Sequence, residues 1–295
     1  MNVSASVWKD PLVQRLIRRH RGKGPEQIVR DYVARCLAEA GQVEFPVDVD
    51  GIASLLGIKR RSVDGPFAGR IYAEPSGQLV MDLRESDGGP RRRFSCAHEI
   101  IHTVFPGFAR ETRYRVDFNI GNHRRERYEE EYLCDFGAAE LLMPEPLLNH
   151  PEFALRERGL EAVENLAAQA EVSLEAAGNR LARRAEGAIF MVMELMHKPA
   201  ELPALARGDD VAEKLRLSYA TCADGTDLFL PRYKSSPDDS PMVRALTTGR
   251  RHRGDSTIPG GGRQRYHVEA DSYPRQQGER RIERVLAIAL DPAAD

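Results

Sequence analysis

Arg93-Phe94-Ser95-Cys96-Ala97-His98-Glu99-Ile100-Ile101-His102 lies between Pro90 and Pro106-Gly107. Proline suits a first helical turn and Pro-Gly a stop, so the stretch between them predicts a helix. Residues four apart on a helix project from one face, one turn apart. The ring nitrogens of His98 and His102 then reach a single ion about 2 Å from each, as Zn²⁺ requires. Glu99 is rotated off that line, near the ion without holding it. A carboxylate there suits a general base that takes a proton from water and passes it to a leaving amine.

A catalytic zinc keeps three protein ligands and one open position. Tyr128 to Leu142, closed by Met143-Pro144, predicts a second helix that offers Glu131 as third ligand, with Asp135 one turn further on the same face. Asp135 would accept the outward N–H of a ligand histidine and fix its tautomer. Glu129 and Glu130 compete with Glu131, and an acidic first turn is also what the helix dipole favours without any metal. The expected cofactor is one Zn²⁺ per chain, with Mn²⁺ as a candidate substitute. Residues 107 to 127 read as an arginine-rich loop over the site. His123, Tyr114, Tyr128 and Arg93 are candidates for stabilising an oxyanion, and the pattern does not choose among them.

Working outward, Pro25 to Ala40 predicts an amphipathic helix stopped by Gly41, and Asp48 caps a short helix ended by Gly57. Arg70-Ile71-Tyr72 and Leu79 to Leu83 flank Pro75-Ser76-Gly77 and read as a hairpin. Past Pro146 the pattern stays helical to about Ala185. Apolar β-type runs then appear at Ile189 to Met193, Leu215 to Tyr219 and Val285 to Leu290. The expected fold is α+β, in three parts: a mostly helical zinc-peptidase domain with a small sheet (1–145), a helical helix-turn-helix-like segment (146–187) and a small α+β domain (188–295).

A net charge of −2 gives no bulk attraction to nucleic acid or membrane. No apolar run approaches the roughly 18 residues of a membrane span, and Met1 to Lys23 lacks the apolar core of a signal peptide. Cys36, Cys96, Cys134 and Cys222 form no C-x-x-C pair. That spacing argues against a disulfide framework and a cysteine zinc knuckle, and favours a reducing, cytoplasmic setting.

The segment Arg93 to His102 resembles the R-F-x-x-A-H-E-x-x-H stretch of the ImmA/IrrE family of bacterial metallopeptidases. Glu131 to Pro144 is similar to that family's E-x-x-A-N-x-F-A-A-E-L-L-M-P, and Pro46 to Ile58 to its P-V-D-V-x-x-I-A-x-x-L-G-I. The resemblance selects Glu131 over its acidic neighbours. It implies a zinc endopeptidase making regulatory, site-limited cuts in a protein substrate, often a helix-turn-helix repressor, in stress responses or mobile elements. Cys134, Asp135 and Gly137 depart from the family's Ala, Asn and Phe, and Phe136 is expected to fill the space that Gly137 leaves. Longer family members end in a GAF-like sensor domain, which the last third of this chain resembles.

Leu166 to Arg184 has helix-turn-helix rhythm, with Asn179, Arg180, Arg183 and Arg184 on the second helix and Glu171 where a turn glycine is usual. Acids at 161, 164 and 175 dilute its positive field, so packing or substrate docking is expected rather than DNA binding. The competing reading is a non-catalytic, zinc-containing transcription regulator acting through DNA or protein. Glu99 speaks against it, because a structural zinc needs no base.

Overall fold

The computed structural model describes residues 8–108, 113–116, 128–226, 228–277 and 280–292. The chain divides into two compact units, residues 1–149 with 167–173, and residues 150–166 with 174–295. Each carries its own sheet, and the architecture is α+β.

In the first unit α1 (Pro11–Arg19), α2 (Pro25–Glu39) and α3 (Val49–Leu55) precede β1 (Ile58–Val63), β2 (Phe67–Ala73) and β3 (Leu79–Arg84). Asp48 caps α3 by accepting the Gly51 N–H at 2.8 Å. The predicted hairpin forms, with β2 antiparallel to β3. β1 adds parallel to β3 on the other side, and β4 (Arg113–Val116) pairs with the free edge of β2 across a bulge between Phe67 and Gly69. The order is β1-β3-β2-β4. β3 is buried on both faces, and its Asp82 is held by Arg70 at 2.6 Å.

α4 (Gly89–His102) lies against β2 and β3, and α5 (Tyr128–Leu142) lies against α4 and α2. Every residue of α4 from Ser95 to His102 is buried. A helix walled by a sheet on one side and helices on the other has no solvent face left, so its polar groups must find partners or ligands inside.

Gly137 lets α5 approach closely. A Cβ there would come within 2.7 Å of Val29 and 2.8 Å of Ile101. Those side chains, and not Phe136, occupy the space beside it. Adjacent helical residues point about 100° apart, so Phe136 turns outward, stacks on Tyr132 and lies under the Arg30 guanidinium.

The second unit contains the short helix α6 (Leu155–Arg158), α8 (Leu174–Arg184), α9 (Leu202–Ala206) and α10 (Pro241–Thr248). The helix α7 (Leu160–Ala170) is divided between the two units. The strands are β5 (Ala188–Met196), β6 (Lys214–Cys222), β7 (His252–Ser256), β8 (Tyr266–Ser272) and β11 (Arg284–Leu290), with β9 (Arg275–Gln277) and β10 (Arg280–Ile282) forming a separate ribbon. The main sheet runs β6-β5-β11-β8-β7 and is antiparallel throughout. Ile189, Met191 and Met193 alternate onto one face and pack with Met242 and Ala245 of α10. Phe190 points to the other face, where Gly178 of α8 leaves room for its ring.

Candidate metal centre

Two stripes on α5 face the histidine pair of α4. Glu131 and Asp135 are one turn apart, as are Glu130 and Cys134. The Asp135 carboxylate lies 2.9 Å from His98 Nδ1. Glu130 lies 3.1 Å from His102 Nδ1, with Cys134 Sγ 3.4 Å from the same nitrogen. The two imidazoles are 5.0 Å apart and close to perpendicular.

A carboxylate accepts hydrogen bonds, so the hydrogen of each neutral ring belongs on Nδ1 and the lone pair on Nε2. The two Nε2 atoms face the Glu131 carboxylate at 3.4 and 3.9 Å. Both are buried and make no hydrogen bond among the described residues. A buried polar atom left in that state costs about 1–3 kcal/mol. The donor set of two imidazole nitrogens and one carboxylate fits a divalent cation that takes N and O ligands.

The electrostatics agree with that fit. Burial alone would lower the pKa of His98, but Asp135 and Glu131 outweigh it and raise it to about 9. Without a metal ion the His98 ring therefore favours a second proton on Nε2, which a bound cation would have to displace. Burial, with the nearby carboxylates, pushes the Cys134 thiol well above its ordinary pKa. His98, His102 and Cys134 also offer ligand atoms within 4.8 Å of one another. The thiol meets His102 at Nδ1, the nitrogen that also faces Glu130.

Glu99 is fully buried on α4, and β2 crosses directly over it. A Cβ on Gly69 would stand 2.8 Å from Glu99 Oε1. The glycine thus gives the carboxylate its room, a constraint that no local pattern in residues 67–73 reveals.

Among the oxyanion candidates, Arg93 donates to Val47 O at 2.9 Å and pairs with Glu171, so its guanidinium is committed elsewhere. Tyr128 is exposed. His123 and the Tyr114 side chain lie outside the described residues, as does most of the 107–127 stretch. β4 nevertheless shows that this stretch contributes a strand that the sequence reading misses. Glu130, read from sequence as a rival of Glu131, reaches a different atom altogether.

Fold and cluster together give a domain built on an H-E-x-x-H helix, with two imidazoles and a carboxylate gathered at one point. Residues 61–182 match the family described as the IrrE N-terminal-like domain, Peptidase_M78. The chain is 29% identical over 189 residues to the radiation response metalloprotease IrrE of Deinococcus radiodurans, covering 62% of this chain and 56% of that protein. It is 30% identical over 195 residues to the protein of the same name from Deinococcus deserti, covering 63% of this chain and 64% of the relative. The chain thus spans less than two thirds of the length of either relative. The likeness to that family is carried by residues 61–182. A Mycobacterium tuberculosis transcriptional regulator has the same fold, with a TM-score of 0.56 at 14% identity over 95% of this chain and 80% of that one. At that identity the likeness is one of fold alone.

Proposed function

We propose that the chain is a cytoplasmic, zinc-dependent endopeptidase that makes a site-limited cut in a protein substrate, a helix-turn-helix transcriptional repressor. The supporting observation is the convergence on the Glu131 carboxylate of two buried Nε2 atoms that make no hydrogen bond among the described residues, with Glu99 following His98 on the same helix. His98, His102 and Glu131 hold the cation, and Asp135 orients His98. When bound, Zn²⁺ supplies Lewis acidity and makes water more acidic. Glu99 takes the proton of the attacking water and delivers it to the nitrogen of the departing amine as the C–N bond breaks. Its burial beneath β2 keeps that carboxylate out of bulk water. The C-terminal unit is read as a GAF-like sensor, by resemblance. The choice of a repressor as substrate likewise rests on the family.

DNA reading by α8 has less support. Asn179 is bonded to Thr221 at 2.7 Å, Glu175 accepts from Tyr219 at 2.9 Å, and Arg180 is buried. Of the four side chains that a DNA-reading helix would use here, Arg183 alone is exposed. No helix among the described residues is long and apolar enough to cross a membrane.

The test is Glu99→Gln, which keeps shape and removes basicity. The variant should retain zinc and cleave a co-expressed repressor at least ~100-fold more slowly. Cleavage at the wild-type rate refutes the mechanism. Loss of cleavage with normal derepression in cells transfers the function to binding alone.

A further inference from the structure

We propose that Glu130 is the positioning residue of His102: it accepts the Nδ1 hydrogen, fixes the tautomer and aims Nε2 at the metal. The inference rests on the reading of His98, His102 and Glu131 as ligands, and it adds a group that neither the motif nor the family resemblance singles out.

The geometry carries it. Three successive acids at the start of α5 are sent to three destinations, as their rotation of about 100° per residue dictates. Glu129 turns toward the chain's beginning and accepts the backbone N–H groups of Lys9 and Asp10, each at 2.8 Å. Glu131 faces both Nε2 atoms. Glu130 turns inward, is 0% exposed, and meets His102 Nδ1 at 3.1 Å. Its counterpart one stripe over is Asp135 on His98 Nδ1 at 2.9 Å. The two ligand histidines are therefore each backed by a carboxylate from α5.

Burying a carboxylate is costly unless it is paired, so an acid fully buried against an imidazole calls for a reason. A surface acid at a helix start would gain the helix dipole without any burial. Metal-ligating histidines commonly donate their other N–H to a carboxylate, which raises ligand basicity and locks the ring. Cys134 Sγ lies 3.4 Å from the same Nδ1. It is a weaker acceptor than a carboxylate, so the carboxylate takes the hydrogen.

The experiment is competition for Zn²⁺ between a chromophoric chelator and the full chain, with Co²⁺ spectra taken in parallel. Glu130→Gln should weaken zinc affinity by about 10–100-fold while leaving the Co²⁺ ligand-field bands in place. Glu130→Asp should recover part of the loss. Glu131→Gln, in contrast, should change the bands themselves, because it alters the ligand set. The metal-free forms of wild type and Glu130→Gln should melt alike, whereas zinc should raise the melting temperature of the variant less. Affinity within twofold of wild type in Glu130→Gln overturns the positioning role while leaving the ligand assignment intact. So does a metal-free variant that has lost its fold while Glu130→Asp binds no better, which would make Glu130 purely structural. Absence of stoichiometric zinc from the wild type overturns both readings.

Discussion

The two units each gather a cluster of acids, and the clusters differ in what sits at their centre. In the second unit Arg251 fills the middle. Its guanidinium reaches Glu164 at 2.7 Å, Asp271 at 3.1 Å and Glu269 at 3.5 Å, and donates to Tyr273 Oη at 3.2 Å. Tyr273 in turn donates to Glu164 at 2.6 Å, and Arg253 holds Glu269 at 3.0 Å. In the first unit Glu130, Glu131 and Asp135 surround two imidazoles whose inner nitrogens make no hydrogen bond among the described residues. One cluster carries its own cation, covalently attached to the chain. The other has no side-chain cation at its centre among the described residues, which is where we propose that a metal ion binds. A closed network of paired charge reads as architecture, and an open one reads as a ligand site.

That contrast breaks most visibly under metal removal. Chelation, or His98→Ala or His102→Ala, should abolish proteolysis and zinc content, measured by cleavage assay and metal analysis. The unfolding of the second unit should not move. If chelation unfolds both units equally, the separation drawn between the clusters is wrong.

Arg251→Met is the converse. Losing several charge-assisted bonds around a half-buried guanidinium should destabilise the second unit by about 1.5–3 kcal/mol in a denaturant titration, with zinc occupancy unchanged. The same pair gives a pH signature. Burial acts to raise the Glu164 pKa, but Arg251 and Tyr273 overcome it and hold the carboxyl below its ordinary value. A carboxyl depressed in the folded state contributes stability above its ordinary pKa and loses it as pH falls through the lowered one. The difference between wild type and Arg251→Met should therefore be full at neutral pH and shrink once the medium is acid enough to protonate Glu164. A difference that grows on acidification contradicts this account.

Gly69→Ala sharpens the comparison from within the first unit. The added methyl meets Glu99 and forces the base aside, so cleavage should fall by about tenfold or more with zinc retained. The smallest effect belongs to Glu171, whose φ of 52° is left-handed and favours glycine. Glu171→Gly should alter stability by under about 1 kcal/mol, because relief of strain offsets added chain entropy and loss of the Arg93 ion pair. A larger loss would show that the pair dominates.

The elements that bear the site are legible because their signals are local. Pro90, the histidine spacing and the Met143-Pro144 stop delimit α4 and α5, and Pro75-Ser76-Gly77 marks the hairpin. β1 is not legible: Ile58-Lys59-Arg60-Arg61-Ser62-Val63 has no alternation of polar and apolar residues, and only parallel pairing with β3 makes it a strand. β4 is equally silent, since it forms by adding to the edge of β2. Glu130 and Gly69 escape for a related reason. Helical periodicity says which residues share a face, and not which atom of another helix or strand that face will meet.

The central claim is that Glu131 completes a site with His98 and His102, against the alternative in which Cys134 does so. Metal analysis of the wild type, Glu131→Gln and Cys134→Ser tests it most directly, with each protein also loaded with Co²⁺. The account predicts about one zinc per chain in the wild type and in Cys134→Ser, little in Glu131→Gln, and no thiolate charge-transfer band. Full occupancy in Glu131→Gln, together with metal loss in Cys134→Ser, would contradict it.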